Sequence, residues 1–218
     1  MKDINHPTVL KLLDLKEDSE YYYYICEYCN CENLGEYMKR KKTLSEEEVQ
    51  HIMKQLVNVI KYLHDKKIVH RDIKKHNILI AYDTQEDLLN GNIMKSKIKL
   101  IGLVISSHLI KGDVLRTLVG TTNYMAPEIK NPKNYNEKVD IWSLGVTFSE
   151  LLNCQKKNNF KKGENDDKEY FFPNLSKEAN SFIQCTLQFN PEKRKSADEL
   201  CKHDFLVKNA KDFSPVNP

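Results

Sequence analysis

The chain has 218 residues, 40% hydrophobic and 30% charged, with 34 Lys and Arg against 31 Asp and Glu for a formal net charge of +3. This suits one domain with a sizeable core, or a large domain lacking a part. The balanced charge argues against nucleic acid as a partner, which requires a clustered basic footprint, and no apolar run approaches the ~18 residues of a membrane span.

The opening stretch, MKDINHPTVL, has no apolar core of a secretory leader. The six cysteines, Cys26, Cys29, Cys31, Cys154, Cys185 and Cys201, therefore read as reduced thiols of an intracellular protein, cytoplasmic or nuclear. Cys26, Cys29 and Cys31 are crowded, but a structural zinc site wants a second ligand pair at suitable spacing, and none is evident. They read as ordinary half-buried thiols. Lysine runs such as 39–42 read as a solvated face.

In chain order, residues 8–29 hold two extended runs, TVLKLLDL and YYYYICEYC, separated by the polar KEDSE. The aromatic and β-favouring composition predicts a hairpin, which alone is marginal in water and needs further strands or a packed partner. SEEE at 45–48 places Ser45 as cap and Glu48 three residues on, a capping box. Val49, Ile52, Met53, Leu56, Val59, Ile60 and Leu63 then recur at spacings of three and four, which predicts an amphipathic helix ending near 64–67. Two short strands, near Ile68 and at 78–80, flank a polar loop. Residues 81–97 show no pattern and read as an exposed loop before a returning strand, IKLIGLV. Residues 137–153 are apolar on most sides, which predicts a centrally buried helix. Residues 153–169 read as a mobile loop, 176–188 as an amphipathic helix capped by Ser176, 196–203 as a short last helix, and the final ten residues as a frayed tail.

Within this framework stands HRDIKKHN at 70–77, followed by GTTNYMAPE at 120–128, DIWSLGV at 140–146 and NPEKRKSADELCKHDFL at 190–206, with ICEYCNCENLGEYM at 25–38 ahead of them. The first matches the H-R-D-x-x-x-x-N catalytic loop of protein kinases and the second carries their A-P-E signature. In order and spacing the chain resembles a eukaryotic serine/threonine protein kinase over nearly its whole length. The resemblance implies an α+β, kinase-like fold: an N-lobe remnant with its hairpin and the start of the hinge at 1–29, a helical C-lobe at 30–206, and a tail at 207–218. It also implies ATP and Mg²⁺ as cofactors and a protein bearing Ser or Thr as substrate.

Residue by residue, Asp72 would accept and orient the substrate hydroxyl, Lys74 would neutralise charge on the transferring phosphate, and Asn77 would hold Mg²⁺ through its amide oxygen. Thr121 would stand beside the catalytic loop. Glu128 would pair with Arg194, and Asp140 would hold the loop backbone. Arg71 would pair with a phosphate on the activation segment, where Thr117 is the phosphosite candidate. Cys26 would be the gatekeeper, Glu27 and Cys29 would offer backbone groups to adenine, and Leu79 would form the pocket floor. Lys75 stands where the family usually has proline, and the region before Ser176 reads as too short and polar for the family's docking helix.

Three features of the family are not found: a glycine-rich phosphate loop, the VAIK-like lysine, and the D-F-G aspartate within IKLIGLVISSH at 98–108. Keeping the flanks in register makes Gly102 the family glycine and places a two-residue gap after Ile101. All three losses fall on bound Mg-ATP, where lost charge stabilisation commonly costs several kcal/mol of barrier. The expectation is a catalytically impaired, pseudokinase-like module or scaffold for a partner. The alternative is an incomplete sequence of an active kinase. The ordered motifs disfavour an unrelated helical protein.

Overall fold

The computed structural model describes residues 4–103, 107–108, 120–130, 135–153, 170 and 172–214. Among these, helices dominate and three two-stranded antiparallel sheets accompany them, the α+β class expected.

Strands β1 (Leu12–Glu17) and β2 (Tyr22–Cys26) form the expected hairpin, in register from Asp14↔Ile25 to Glu17↔Tyr22. Asp18 makes the turn, its Oδ1 accepting from the amides of Glu20 and Tyr21. Leu13, Leu15, Tyr22, Tyr23, Tyr24 and Ile25 are all exposed, so neither face of the ribbon is covered by the described residues.

Helix α1 (Leu34–Lys41) was not signalled by an apolar stripe; its sequence mark is the cap Asn33, whose side chain accepts from Glu36 N. Helix α2 (Glu46–Asp65) follows the reading closely. Ser45 and Glu48 close the capping box, and the stripe from Val49 to Leu63 is buried. Strand β3 (Ile68–Val69), a 3-10 turn at Lys75–Asn77 and β4 (Ile78–Ala81) come next.

Residues 81–97 depart from the loop expectation. They form α3 (Gln85–Asn90), capped by Thr84 and closed by Gly91 in the left-handed conformation, and a 3-10 turn at Ile93–Lys95. Thr84 Oγ1 accepts from Asp87 N and donates to Asp87 Oδ2, and Tyr82 and Ile93 are buried in the core. Buried anchors at Tyr82 and Ile93, with caps at both ends of α3, hold a segment too short to show a period.

Strand β5 (Lys97–Leu100) pairs with β4, so Ile78, Ile80, Ile98 and Leu100 face the core while Leu79 and Lys99 share the other face. Thr8 to Leu10 add to β5 through Leu100 N to Thr8 O and Leu10 N to Leu100 O. Strand β6 (Ser107–His108) pairs with β3.

Helix α4 (Lys138–Leu151) is buried continuously from Val139 to Ser149, the central helix expected. Its hydroxyls turn back on its own carbonyls, Thr147 to Ser143 O and Ser149 to Gly145 O, which is how polar side chains survive there. Helix α5 (Lys177–Thr186) is capped by Ser176 as predicted. The predicted last helix is α6 (Ala197–Cys201), and α7 (Asp204–Val207) follows it. Phe148, Phe182 and Phe205 join α4, α5 and α7 with ring centroids 4.7 to 5.6 Å apart. The tail is docked rather than frayed as far as Ser214. Phe213 stacks on Phe205, and Ser214 exchanges bonds with Lys177 N and Glu178. The expected mobile loop lies mostly outside the described residues.

Candidate functional site

The loop between β3 and β4 is held from below by α4. Asp140, fully buried, accepts from His70 N and Arg71 N at 2.8 Å and from His64 Nε2 at 2.9 Å. Burial alone would raise its carboxyl; the hydrogen bond from His64, the nearby imidazoles and the Arg71 amide outweigh it and keep the pKa low. Arg71 takes φ +69, a conformation that costs a non-glycine residue about 1 kcal/mol or more, and Asp140 fixes it. His70 accepts from Asp72 N on Nδ1, so Nε2 carries the proton that reaches Ile101 O at 2.9 Å. Burial lowers its pKa, in keeping with a neutral ring.

Asp72 is the hub. Its Oδ2 accepts from Lys74 Nζ at 2.8 Å and Asn77 Nδ2 at 2.7 Å, and its Oδ1 from Thr121 Oγ1 at 2.7 Å. Lys74 Nζ also donates to Thr121 Oγ1 at 2.6 Å. Burial would raise the carboxyl, but the bonds from Lys74, Thr121 and Asn77 prevail and its pKa is lowered. Gly120 permits this closure. It has φ +115, and a Cβ there would lie 2.7 Å from Arg71 O, so only glycine lets the segment bearing Thr121 approach so near. An ionised carboxylate flanked by an ammonium and a hydroxyl can accept and orient an alcohol proton and offset negative charge arriving beside it.

Glu128 and Arg194, 66 positions apart, form a two-pronged pair, Oε1 to NH1 at 2.5 Å and Oε2 to NH2 at 2.8 Å. Arg194 is buried and lies 5.0 Å from the Trp142 ring. Tyr124, Glu150 and Lys75 make a second group that sequence reasoning missed. Tyr124 OH donates to Glu150 Oε2 at 2.5 Å, and Lys75 Nζ lies 3.4 Å from Glu150 Oε1.

On the hinge side, Glu27 Oε1 accepts from Lys99 Nζ at 2.7 Å and from Lys11 N at 2.9 Å. Glu27 N–H donates to Lys11 O, which ties the strand end to the segment ahead of β1. Cys29 Sγ donates to Ile80 O at 3.2 Å, and burial pushes its thiol pKa up. Leu79 is half-buried, cross-strand from Lys99 and bridged to Asn33. Cys26 lines an apolar cavity with Leu12, Tyr24, Leu100, Ile101 and Gly102. Thr117, the phosphosite candidate, lies outside the described residues.

The family model described as "Protein kinase domain" matches residues 1–206. The chain belongs to the protein kinase family. It is similar to the serine/threonine-protein kinase polo of Drosophila melanogaster, 34% identical over 94% of this chain and 35% of that protein. It is also similar to serine/threonine-protein kinase ULK3 of Xenopus laevis, 32% identical over 94% of this chain and 44% of that protein, and to calcium-dependent protein kinase 5 of Plasmodium berghei, 33% identical over 95% and 37%. The chain thus spans a third to a half of the length of these relatives.

Kinases of this family use ATP with Mg²⁺. The donor set of this kinase domain does not fit that metal. Magnesium wants six oxygens at near-octahedral angles, commonly with one or two carboxylates besides phosphates. Asn77 spends Nδ2 on Asp72 O and Oδ2, which leaves its Oδ1 as a donor. Of the roughly four acceptor sites of the Asp72 carboxylate, Lys74, Asn77 and Thr121 take three, and what remains beside the Lys74 ammonium suits a hydroxyl rather than a metal. Ile101 N donates to Asn77 O, and Gly102 packs directly against the Asn77 amide with φ +93, so no carboxylate stands between them. Among the described residues no group of three His, Cys, Asp or Glu side chains could hold a metal, and no helix is long and apolar enough to cross a membrane.

Proposed function

We propose that this kinase domain holds a Ser- or Thr-bearing protein segment over Asp72, Lys74 and Thr121 and is impaired in phosphoryl transfer, acting in the manner of a pseudokinase. One observation carries the reading. At Ile101 and Gly102 the chain passes Asn77 without the carboxylate that would complete a metal site. The machinery on the hydroxyl side is kept, with its pKa and hydrogen bonds in order. In this reading Asp72 orients the hydroxyl, Lys74 supplies positive charge, Thr121 ties the two together, and Asp140, Arg71, Glu128 and Arg194 hold the frame. In this reading an adenine would lie against Cys26 and Leu79 and meet backbone groups of Glu27 and Cys29.

A thermal-shift titration with ATP, with and without Mg²⁺, tests this. The expected result is no magnesium-dependent rise in Tm at millimolar ATP. Ligand at a hundred times its Kd stabilises by about 2.7 kcal/mol, so a shift of several degrees that requires Mg²⁺ would sink the reading. Such a shift would support the second reading, an incomplete sequence of an active serine/threonine kinase, which the intact Asp72 cluster favours. Transcript sequencing that revealed an upstream glycine-rich loop, a VAIK-like lysine and two added residues after Ile101 would establish that alternative.

A further inference from the structure

Helix α4 is buried through Ser149, and at Glu150 it turns a carboxylate toward the Asp72 loop. Both oxygens of Glu150 are engaged, Oε2 by the buried Tyr124 hydroxyl and Oε1 by Lys75. The group sits beside Asp72 from two directions. Lys75 follows Lys74, whose ammonium touches Asp72, and Tyr124 is three residues past Thr121, whose hydroxyl touches Asp72. Lys75 is the more exposed partner, its side chain 26% accessible against 11% for Glu150. An ammonium has three donors, and among the described residues Glu150 is the one partner of this one.

We infer that Lys75 is a specificity-determining residue that selects segments carrying an anionic side chain within about two residues of the hydroxyl held at Asp72. The inference rests on the reading that this site holds a Ser- or Thr-bearing segment. An extended peptide advances ~3.3 Å per residue, and the Asp72 charge reaches Tyr124, the partner of Glu150, so we place the neighbours of that hydroxyl against the Lys75–Glu150 pair. An incoming cation would meet a carboxylate already satisfied and an ammonium of its own sign. An incoming anion would take the open donors of Lys75 without displacing Glu150. Arriving side chains are thus sorted by a lysine where the family usually has proline, a residue with no charge to offer.

The test is direct binding, without nucleotide, of labelled peptides identical except for Glu, Ala, Arg or phosphoserine flanking one Ser. Fluorescence anisotropy on the 218-residue chain at low salt should show the Glu peptide binding about three- to fivefold tighter than the Ala peptide, the scale of a half-exposed ion pair. The Arg peptide should bind weakest, and the differences should shrink as salt screens them. Lys75→Ala should erase the Glu advantage and Lys75→Arg should keep it, while the Ala peptide binds both variants as tightly as it binds the wild type, which a merely structural strut would not predict. A Lys75-dependent gain for the phosphoserine peptide likewise supports the inference. Tighter binding of the Arg peptide, or the same charge preference in Lys75→Ala, would overturn it, as would failure of every peptide to bind. The nucleotide titration is read separately, so loss of this inference leaves the impaired-transfer reading to its own result.

Discussion

Thr121 closes the candidate site with a single hydroxyl. It donates to Asp72 Oδ1 and accepts from Lys74 Nζ, so one atom joins the base-like carboxylate to the ammonium. Thr121→Val keeps the shape and removes both bonds, leaving a part-buried carboxylate oxygen short of a donor. A loss of about 1–3 kcal/mol in urea unfolding is expected. Burial, which acts to raise the Asp72 carboxyl, is then opposed by one donor fewer, so its pKa rises. The depressed pKa of Asp72 contributes stability that is present above the unfolded carboxyl range and lost as pH falls through the folded value. In the variant that loss starts from the same unfolded carboxyl range but is smaller and is complete at a higher pH. Carboxyl titration by NMR reads it, with Thr121→Ser as the control that restores the bonds; an unchanged Asp72 titration in Thr121→Val would refute the assignment.

At the scale of elements, helices with a long stripe or a capping box were readable directly, as α2 and α5 show. Helix α4 was readable for the opposite reason, since being apolar on most sides marks a central position. What stayed hidden was short or paired at a distance. Helix α1 and helix α3 are too brief for a period, and their caps Asn33 and Thr84 are common loop residues. The hub residues Asp72, Lys74, Asn77 and Thr121 were legible only through motif order, because bonds spanning up to 49 positions leave no local pattern. Glu150 lies outside those motifs, and although Lys75 lies inside HRDIKKHN, its pairing with Glu150 across the chain leaves no local pattern. The packing of α4 on α5 is a further example. A Cβ on Gly145 would lie 2.5 Å from Thr186 Oγ1 and 2.8 Å from Leu187 Cδ2. Alanine favours a helix over glycine by about 1 kcal/mol, yet here Gly145→Ala should destabilise by about 1–3 kcal/mol through overpacking. Chemical denaturation decides the sign, and a stabilised variant would contradict the close crossing.

The whole molecule is drawn together by buried polar groups as much as by its aromatic core. His203 is the clearest case. Its Nδ1 accepts from Phe205 N to cap α7, its Nε2 meets Ser181 on α5, and its ring packs 5.3 Å from Phe182. Burial pushes its pKa down to about 4, aided by Lys195 and opposed by Asp204 and Glu178. His70, under the candidate site, is lowered by burial as well. The unfolded chain therefore takes up protons below about pH 6.5 that the native state refuses until near 4 for His203. Stability should be fully present above 6.5 and fall steadily as the pH drops from 6.5 to 4. His203→Asn separates this from general acid effects. Asparagine can cap α7 in place of the imidazole but does not titrate, so the slope of urea midpoint against pH should flatten between 6.5 and 4 while the helix stays capped. If the slope in His203→Asn matches that of the wild type, the acid sensitivity lies elsewhere, and His70 beneath the Asp72 loop is the next group to replace.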